Sequence, residues 1–199
     1  GNTPVYDSSK SNRFIYKENN HALYINFNKE FKKWSLMAGL RAEQTNIEGD
    51  QLATNADFDS SYLQLFPSVF LNYKMGAEKT IGISVSRRID RPNYSQLNPF
   101  RFFLDPSTYS SGNPSLRPQL TWSYELSYTL KQLNFTLGYS HTKQNFTVVI
   151  RPSENEDKVT VQIPVNLATY DYYGLTVSAP FRFTRWWNSI NNLNVFYGH

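Results

Sequence analysis

The sequence contains no cysteine and only three histidines among its 199 residues. The first absence excludes disulfide bonds, thiolate nucleophiles and cysteine metal sites. The histidines, at positions 21, 141 and 199, lack the spacing of a metal site or an acid–base pair. Signatures of nucleotide-binding loops, serine hydrolases and zinc proteases are also absent. We therefore expect no enzyme activity, no metal site and no cofactor.

Long hydrophobic runs are missing as well. The mean hydropathy is −0.54, and no run approaches the roughly 20 apolar residues that a membrane-spanning helix needs. Aromatic residues nevertheless make up 16% of the chain. A membrane role would have to use strands, in which lipid-facing and lumen-facing residues alternate and no hydropathy peak arises.

Charge of one sign is not concentrated anywhere. The formal charge is +4, but the 20 Lys and Arg residues are scattered along the chain. Nucleic-acid-binding proteins usually carry a clustered basic patch. No nucleic-acid partner is expected.

What the sequence has is alternation of apolar and polar residues. Between positions 119 and 131, one face collects Leu120, Trp122, Tyr124, Leu126, Tyr128 and Leu130, and the other collects mostly Ser, Thr and charged residues. After a turn at Lys131 and Gln132 the alternation resumes to residue 140. Period-two alternation of this kind predicts a hairpin of two long strands.

The same pattern predicts three more hairpins, with short turns after residues 30, 73 and 183. Long polar or Pro-rich segments separate the hairpins, at 47–61, 91–118 and 151–170, with a short strand expected at 158–163. Pro67 lies inside one arm, where a proline disfavours an unbroken ladder. The sequence thus predicts an all-β antiparallel meander of about eight long strands.

Strand length and turn asymmetry favour a membrane barrel over a soluble sheet. Spanning strands need about 9 to 11 residues, whereas globular strands commonly have about 5 to 6. Outer-membrane barrels have short turns at the periplasmic end and long loops outside the cell. Trp34, Tyr73, Trp186 and Trp187 lie at or near short turns, where an aromatic girdle is expected. We predict part of a transmembrane β-barrel; the alternative is a large twisted sheet with ordinary core aromatics.

Three motifs in the long loop add a resemblance. The stretches 86–92 (SRRIDRP), 96–100 (QLNPF) and 112–118 (GNPSLRP) follow one another in this order. They resemble a series found in the barrels of TonB-dependent outer-membrane receptors of the Bacteroidetes type. Shorter similarities elsewhere, such as 39–43 and 172–175, extend the resemblance over nearly the whole chain.

The resemblance implies a receptor in the bacterial outer membrane that takes up a large solute, such as a siderophore or a glycan. Such receptors have a plug inside a barrel of about 22 strands. Residues 1–199 are thus expected to form a single barrel segment that lacks the plug. The expected partners are outer-membrane lipid, the TonB complex through regions outside this chain, and, as a candidate, a surface lipoprotein. The isolated segment would have unpaired edges and an apolar outer face, so self-association is also expected.

The candidate ligand-binding residues cluster around the long loop. They are Arg87, Arg88, Arg91, Tyr94, Phe100, Arg101 and Tyr109. Guanidinium and aromatic groups suit an anionic siderophore, a glycan or lipopolysaccharide phosphates. Alternatively, the arginines hold the loop against the barrel wall, which the five prolines of this rigid loop favour.

Two other functions stay open at this point. A soluble β-sheet module could bind carbohydrate through exposed aromatics, and it would cover its apolar face. A complete small barrel could serve as a membrane anchor, since eight strands suffice to close one.

Overall fold

The computed structural model describes residues 13–51, 56–154 and 156–199. Its elements, in chain order, are β1 (Phe14–Glu30), β2 (Trp34–Gln51), β3 (Ala56–Gly76), β4 (Lys79–Asp90), α1 (Tyr94–Leu97), β5 (Phe102–Asp105), β6 (Thr108–Ser110), β7 (Gln119–Leu130), β8 (Leu133–Lys143), β9 (Phe146–Pro152), β10 (Thr160–Asn166), β11 (Thr169–Arg182) and β12 (Asn188–Gly198).

Eight of these strands form one large antiparallel sheet. Its order is β1-β2-β3-β4-β7-β8-β11-β12, so strands that neighbour in the sheet follow one another in the chain apart from the two long loops. The predicted meander is confirmed. Within the described residues β1 and β12 are the two edges and do not pair with each other. The sheet is therefore open and not a closed small barrel.

The register of the sheet separates an apolar face from a polar face. One row crosses six strands through Leu71, Ile83, Leu126, Leu137, Leu175 and Val195. The adjacent row, on the opposite face, runs through Asn72, Gly82, Ser127, Thr136, Thr176 and Asn194. Leu137 and Val195 are each 56% exposed. A soluble sheet would cover such a row, whereas lipid covers it in a barrel wall.

The ends of the large sheet differ as the sequence predicts. Short turns of a few residues join β1 to β2, β3 to β4, β7 to β8 and β11 to β12. The long connections lie at the other end, at 91–118 and 144–168. Trp34 packs on Tyr73 at the short-turn end, with ring centroids 4.3 Å apart. No helix in the described residues is long and apolar enough to span a membrane.

One predicted long segment is wrong. Residues 47–51 and 56–61 are not a polar loop, because they extend β2 and β3 in register up to the Gln51–Ala56 pair. Residues 52–55 lie outside the described part of the chain. Together with β1, these extensions form a three-stranded sheet that rises beyond the ends of β4 and β7. Their sequence shows little apolar alternation because neither face of this extension meets lipid.

Pro67 leaves the β2–β3 ladder intact, since it pairs with Leu40. The ladder between β3 and β4 begins beside it, at the Ser68–Ser86 pair. A proline cannot donate to a ladder, so it suits the point where a strand loses a neighbour. On the N-terminal side of Pro67, β3 does not pair with β4.

A second sheet lies within the long connections. Its order is β5-β6-β10-β9, and it joins the two long loops through a parallel pairing of β6 with β10. The strand expected at 158–163 is present as β10, shifted towards the C-terminus, whereas β9 was not predicted. The two loops therefore form one connected layer.

The core of the described residues lies under this layer. Phe14, Leu97 and Leu116 are buried together, with Tyr16 and Phe58 packed against them. Phe14 and Tyr16 lie on the polar face of β1, since they alternate in step with Asn26. The loop at 91–118 therefore folds over the polar face, which is the lumen side of a barrel wall.

Candidate functional site

Arg91 joins the loop to the wall through the buried carboxylate of Glu43 and the half-buried carboxylate of Glu18. Its Nη2 donates to Glu43 Oε1 and to Thr45 Oγ1, the latter at 3.2 Å. Its Nε lies 3.4 Å from Glu18 Oε1. Glu43 is 2% exposed, and Thr45 is fully buried. A buried carboxylate requires a cation or several donors, so Arg91 is a structural partner of this wall.

Further polar groups complete the cluster around Glu18 and Glu43. Arg41 Nη2 lies 2.6 Å from Glu43 Oε2. Tyr16 donates its hydroxyl to Glu18 Oε2 at 2.7 Å, and Asn20 donates to Glu18 Oε1 at 2.6 Å. Two guanidinium groups thus balance two carboxylates. The positive charge of Arg91 is therefore already compensated within the cluster and is not available to an anionic solute.

Arg87 bridges the gap that opens beyond Pro67. It donates to the backbone oxygen of Leu65 and to Gln64 Oε1, both at 2.8 Å. Its guanidinium carbon lies 6.0 Å from the centroid of the Phe66 ring. The side chain thus occupies the place where backbone pairing between β3 and β4 has stopped.

Tyr94 is also held by the wall. Its hydroxyl donates to the backbone oxygen of Phe14 at 3.1 Å, and the two rings lie 5.5 Å apart. α1 begins with a capping box, in which Asn93 and Gln96 exchange side-chain and backbone hydrogen bonds. The capping box and the contacts of Tyr94 thus fix the direction in which the loop enters the lumen.

The remaining candidates lie at two other places. Arg101 sits 4.8 Å above the Tyr109 ring and pairs with Glu156, beside the second sheet. Phe100 precedes this sheet and is half-buried. Arg88 lies on the polar face of β4 and lines a separate recess of about 480 Å³ with Glu125. The structure therefore does not bring the seven candidates into one site.

The motifs of the long loop contact one another. The N–H of Gly112 donates to the backbone oxygen of Asn98 at 2.9 Å, and that of Asn113 donates to the oxygen of Gln96 at 2.6 Å. A Cβ on Gly112 would lie 2.5 Å from the Asn98 oxygen. Glycine is thus required here by a close backbone approach. These motifs build the loop itself.

Asn166, which the sequence analysis missed, holds the two long loops together. Its Oδ1 accepts from the N–H of Arg117 at 2.8 Å, and its Nδ2 donates to the oxygens of Arg117 and Gln144 at 2.9 and 2.7 Å. The side-chain amide of Asn166 thus makes hydrogen bonds of the kind that the backbone of a neighbouring strand would make. No sequence signal could identify this asparagine among the many in the chain.

Asp105 ends β5 in a tight turn. The backbone N–H of Ser107 donates to its carboxylate, at 2.7 Å to Oδ1, and the Ser107 hydroxyl donates to the same oxygen at 2.8 Å. These bonds favour the ionised form and lower the pKa of Asp105 below its usual value. The carboxylate therefore fixes the turn between β5 and β6.

A cavity of about 510 Å³ lies between the loop and the polar face of the wall. Its lining includes Tyr16, Phe58, Tyr62, Leu97, Leu116 and Arg91. Apolar and aromatic walls with a few polar groups are typical of sites for organic ligands. Of the seven candidate residues, Arg91 alone lines this cavity among the described residues.

The aromatic residues of the cavity were missed as site residues. Tyr16, Phe58 and Tyr62 occupy polar-face positions of β1 and β3. Rings at positions where the pattern demands polar residues are the signal that could have identified them. They are aromatic because the loop covers that face.

The fold is similar to solved outer-membrane receptors. The siderophore receptor PirA of Pseudomonas aeruginosa is 12% identical with a TM-score of 0.66, over 94% of this chain and 44% of that one. The copper transporter OprC is 13% identical with a TM-score of 0.68, over 92% and 29%. The hemophore receptor HasR of Serratia marcescens, solved with the hemophore HasA and heme, is 13% identical with a TM-score of 0.64, over 92% and 34%. The chain thus spans less than half the length of these receptors.

No curated protein matches the sequence. The sequence model of the outer membrane protein beta-barrel family matches residues 1–199. The open antiparallel sheet, with its exposed apolar face, agrees with part of a TonB-dependent receptor barrel, and the predicted location in the bacterial outer membrane is confirmed. The chain belongs to the outer membrane protein beta-barrel family.

Proposed function

We propose that this chain forms part of the wall and the extracellular mouth of a TonB-dependent receptor that takes up a large solute. The observation that carries the proposal is the layer of two joined loops, which folds over the polar face and encloses a cavity at the long-loop end. Loops that fold inward create a capture site above the lumen. The similar solved proteins are receptors and transporters, which supports transport over catalysis.

The same proposal treats residues 1–199 as one segment of a larger barrel. Both edges of the sheet, β1 and β12, present unpaired backbone groups within the described residues. In lipid each such group costs several kcal/mol, so further strands must pair with them. The plug and the TonB-contacting region would lie outside this chain.

The candidate residues divide into two groups under this proposal. Arg88, Phe100 and Arg101 are proposed to contact the solute, because they line recesses or belong to the loop layer, whereas Tyr109, which is 6% exposed, is proposed to support the Arg101 side chain. Arg87, Arg91 and Tyr94 are proposed to position the wall and the loop, as their contacts support.

A surface lipoprotein stays a proposed partner. The second sheet has an exposed face with large apolar side chains, among them Phe102 and Ile150, which are 63% and 69% exposed. Apolar patches of this kind at the extracellular end suit a partner protein. The Bacteroidetes type of the receptor likewise stays a prediction.

An uptake assay tests the function. Cells that produce the protein, with and without a functional TonB complex, are supplied with radiolabelled ferric siderophores, heme, copper or oligosaccharides. We expect one solute class to accumulate in the cells only when the protein and a functional TonB complex are both present. Without TonB, the same solute should still bind to the surface of cells that produce the protein. Equal accumulation with and without TonB would contradict the proposal.

Two variants locate the contact. Arg88→Ala should weaken binding of that solute by about ten-fold, as expected when one charged hydrogen bond is lost. Arg185→Ala is the matched control, since it removes an arginine from the turn between β11 and β12 at the opposite end of the sheet. An equal loss of affinity in the two variants would show that Arg88 does not contact the solute.

A further inference from the structure

The apolar, lipid-facing side of the sheet carries a polar cluster at its outer end. Trp122, His141 and Asp171 are cross-strand neighbours on β7, β8 and β11. Tyr139 lies two positions before His141, on the same face. We call these four residues the outer-rim cluster. Ionisable groups on a lipid-facing surface are costly and usually have a function.

The position of the cluster along the strands places it at headgroup level. Leu133 begins β8 at the short-turn end, and His141 lies eight residues later. At about 3.4 Å per residue and a tilt near 40°, this corresponds to roughly 20 Å of height. The apolar band of an outer-membrane barrel is about 25 Å tall. The cluster therefore lies near the outer limit of the hydrocarbon.

Aromatic rings form a belt that passes through Tyr139, at the lower edge of the cluster. Tyr124, Tyr139, Tyr173 and Tyr197 are consecutive cross-strand neighbours, with centroids 5.8, 4.9 and 6.5 Å apart. Rings of this kind mark the membrane interface. Trp122 and Tyr124 extend the aromatic surface upwards, with centroids 6.3 Å apart.

The polar atoms of the cluster are pre-arranged. The Tyr139 hydroxyl donates to Asp171 Oδ1 at 2.7 Å, and His141 Nδ1 lies 2.9 Å from the same oxygen. A carboxylate has two oxygens with about four acceptor positions. Oδ2 of Asp171 and the second ring nitrogen of His141 can therefore serve a ligand. An open groove of about 370 Å³ is lined by Trp122, Tyr124, Tyr139 and His141, and Asp171 lies beside it through its contacts with Tyr139 and His141.

This combination suits a sugar ring. Sugar hydroxyls both donate and accept hydrogen bonds, and the C–H face of the ring packs on an aromatic ring. A phosphate would be repelled by Asp171, and an acyl chain would leave the polar atoms unpaired. The lipid that presents sugar at this level is a glycolipid of the outer leaflet.

We propose that the outer-rim cluster binds the sugar headgroup of an outer-leaflet glycolipid. Trp122 stacks on the sugar, Asp171 accepts from its hydroxyls, and His141 and Tyr139 hold the Asp171 carboxylate in place. The acyl chains of the same lipid then lie against the apolar rows below. The site is independent of the loop cavity and of solute uptake.

The protein is purified from outer membranes in a detergent without a sugar headgroup, and lipid retained on it is measured by native mass spectrometry. Two competing lipids are added in turn: digalactosyl diacylglycerol, which has sugar but no phosphate, and phosphatidic acid, which has phosphate but no sugar. We expect the first to occupy the site and the second to fail. Occupancy by phosphatidic acid at the same concentration would overturn the assignment to sugar.

Asp171→Asn and Trp122→Leu should each lower the affinity for digalactosyl diacylglycerol by about ten-fold. The matched controls are Asp57→Asn, in the extension of β3, and Trp186→Leu, at the short-turn end. Heat-dependent migration on gels verifies that each variant is folded. Unchanged affinity in both cluster variants, or an equal loss in the controls, would refute the site.

Discussion

Replacing Arg91 with methionine removes a cation that the buried carboxylate of Glu43 and the half-buried carboxylate of Glu18 share. Methionine keeps most of the side-chain length, so the change isolates the guanidinium group. Glu43 would retain Arg41 at 2.6 Å, whereas Glu18 would keep only hydrogen bonds from Tyr16 and Asn20. We expect the wall to stay folded and the loop to detach more often.

The magnitude follows from the burial of the partners. Breaking a fully buried ion pair costs about 3–5 kcal/mol. The Arg91 side chain is 22% exposed and Arg41 still compensates Glu43, so we reduce the cost to about 2 kcal/mol. If loop opening is fast compared with cleavage, about 2 kcal/mol raises the rate of proteolysis in the loop by roughly 30-fold.

Limited proteolysis of the protein in detergent, with hydrogen exchange of α1, measures this opening. Arg88→Met is the matched control, because Arg88 lies three positions before Arg91, on β4, and lines a different recess. The double variant with Glu43→Gln should lose less than the sum of the two single variants, since both act on one interaction. Equal proteolysis of Arg91→Met and the parent protein would refute the anchoring role.

Three further perturbations test other parts of the fold. Gly112→Ala should raise hydrogen exchange throughout the long loop, because its Cβ would meet a backbone oxygen, whereas Gly76→Ala, with nothing within 4 Å, should not. Leu137→Arg should cost about 2–4 kcal/mol of barrel stability in a urea titration in lipid vesicles, because its side chain faces lipid, and an equal effect of Thr136→Arg on the opposite face would contradict the assignment of faces. Because the pKa of Asp105 is lowered in the folded state, its carboxylate stabilises the turn fully at pH values above the ordinary pKa of 3.8, and this contribution is lost as the pH falls through the pKa of the folded state. Amide exchange of β5 and β6 should therefore accelerate in acid, and Asp105→Asn should abolish that pH dependence.

The sequence predicted the strands that have a lipid face, since lipid on one side and polar surroundings on the other impose strict alternation. The hairpin of β7 and β8 was found nearly to the residue for this reason. The extensions of β2 and β3 were missed, because above the membrane both faces tolerate polar residues. Strand pairing there depends on backbone hydrogen bonds, which leave no trace in the side-chain pattern.

The candidate site was predictable only in part. The sequence placed Arg91 in the loop and allowed a structural role for it. Its partners Glu18 and Glu43 come from strands far away in the chain, and only the register of β1 with β2 brings them together. The same holds for Trp122, His141 and Asp171, whose proximity requires the registers of three strands.

The parallel pairing of β6 with β10 has a consequence for how such receptors diversify. The two loops come from different hairpins, yet each supplies half of one small sheet. Selection for a new solute therefore acts on both at once, and a change in one loop must be matched in the other. Grafting a single loop from a relative should give a misfolded mouth, while transfer of 91–118 together with 144–168 should preserve it.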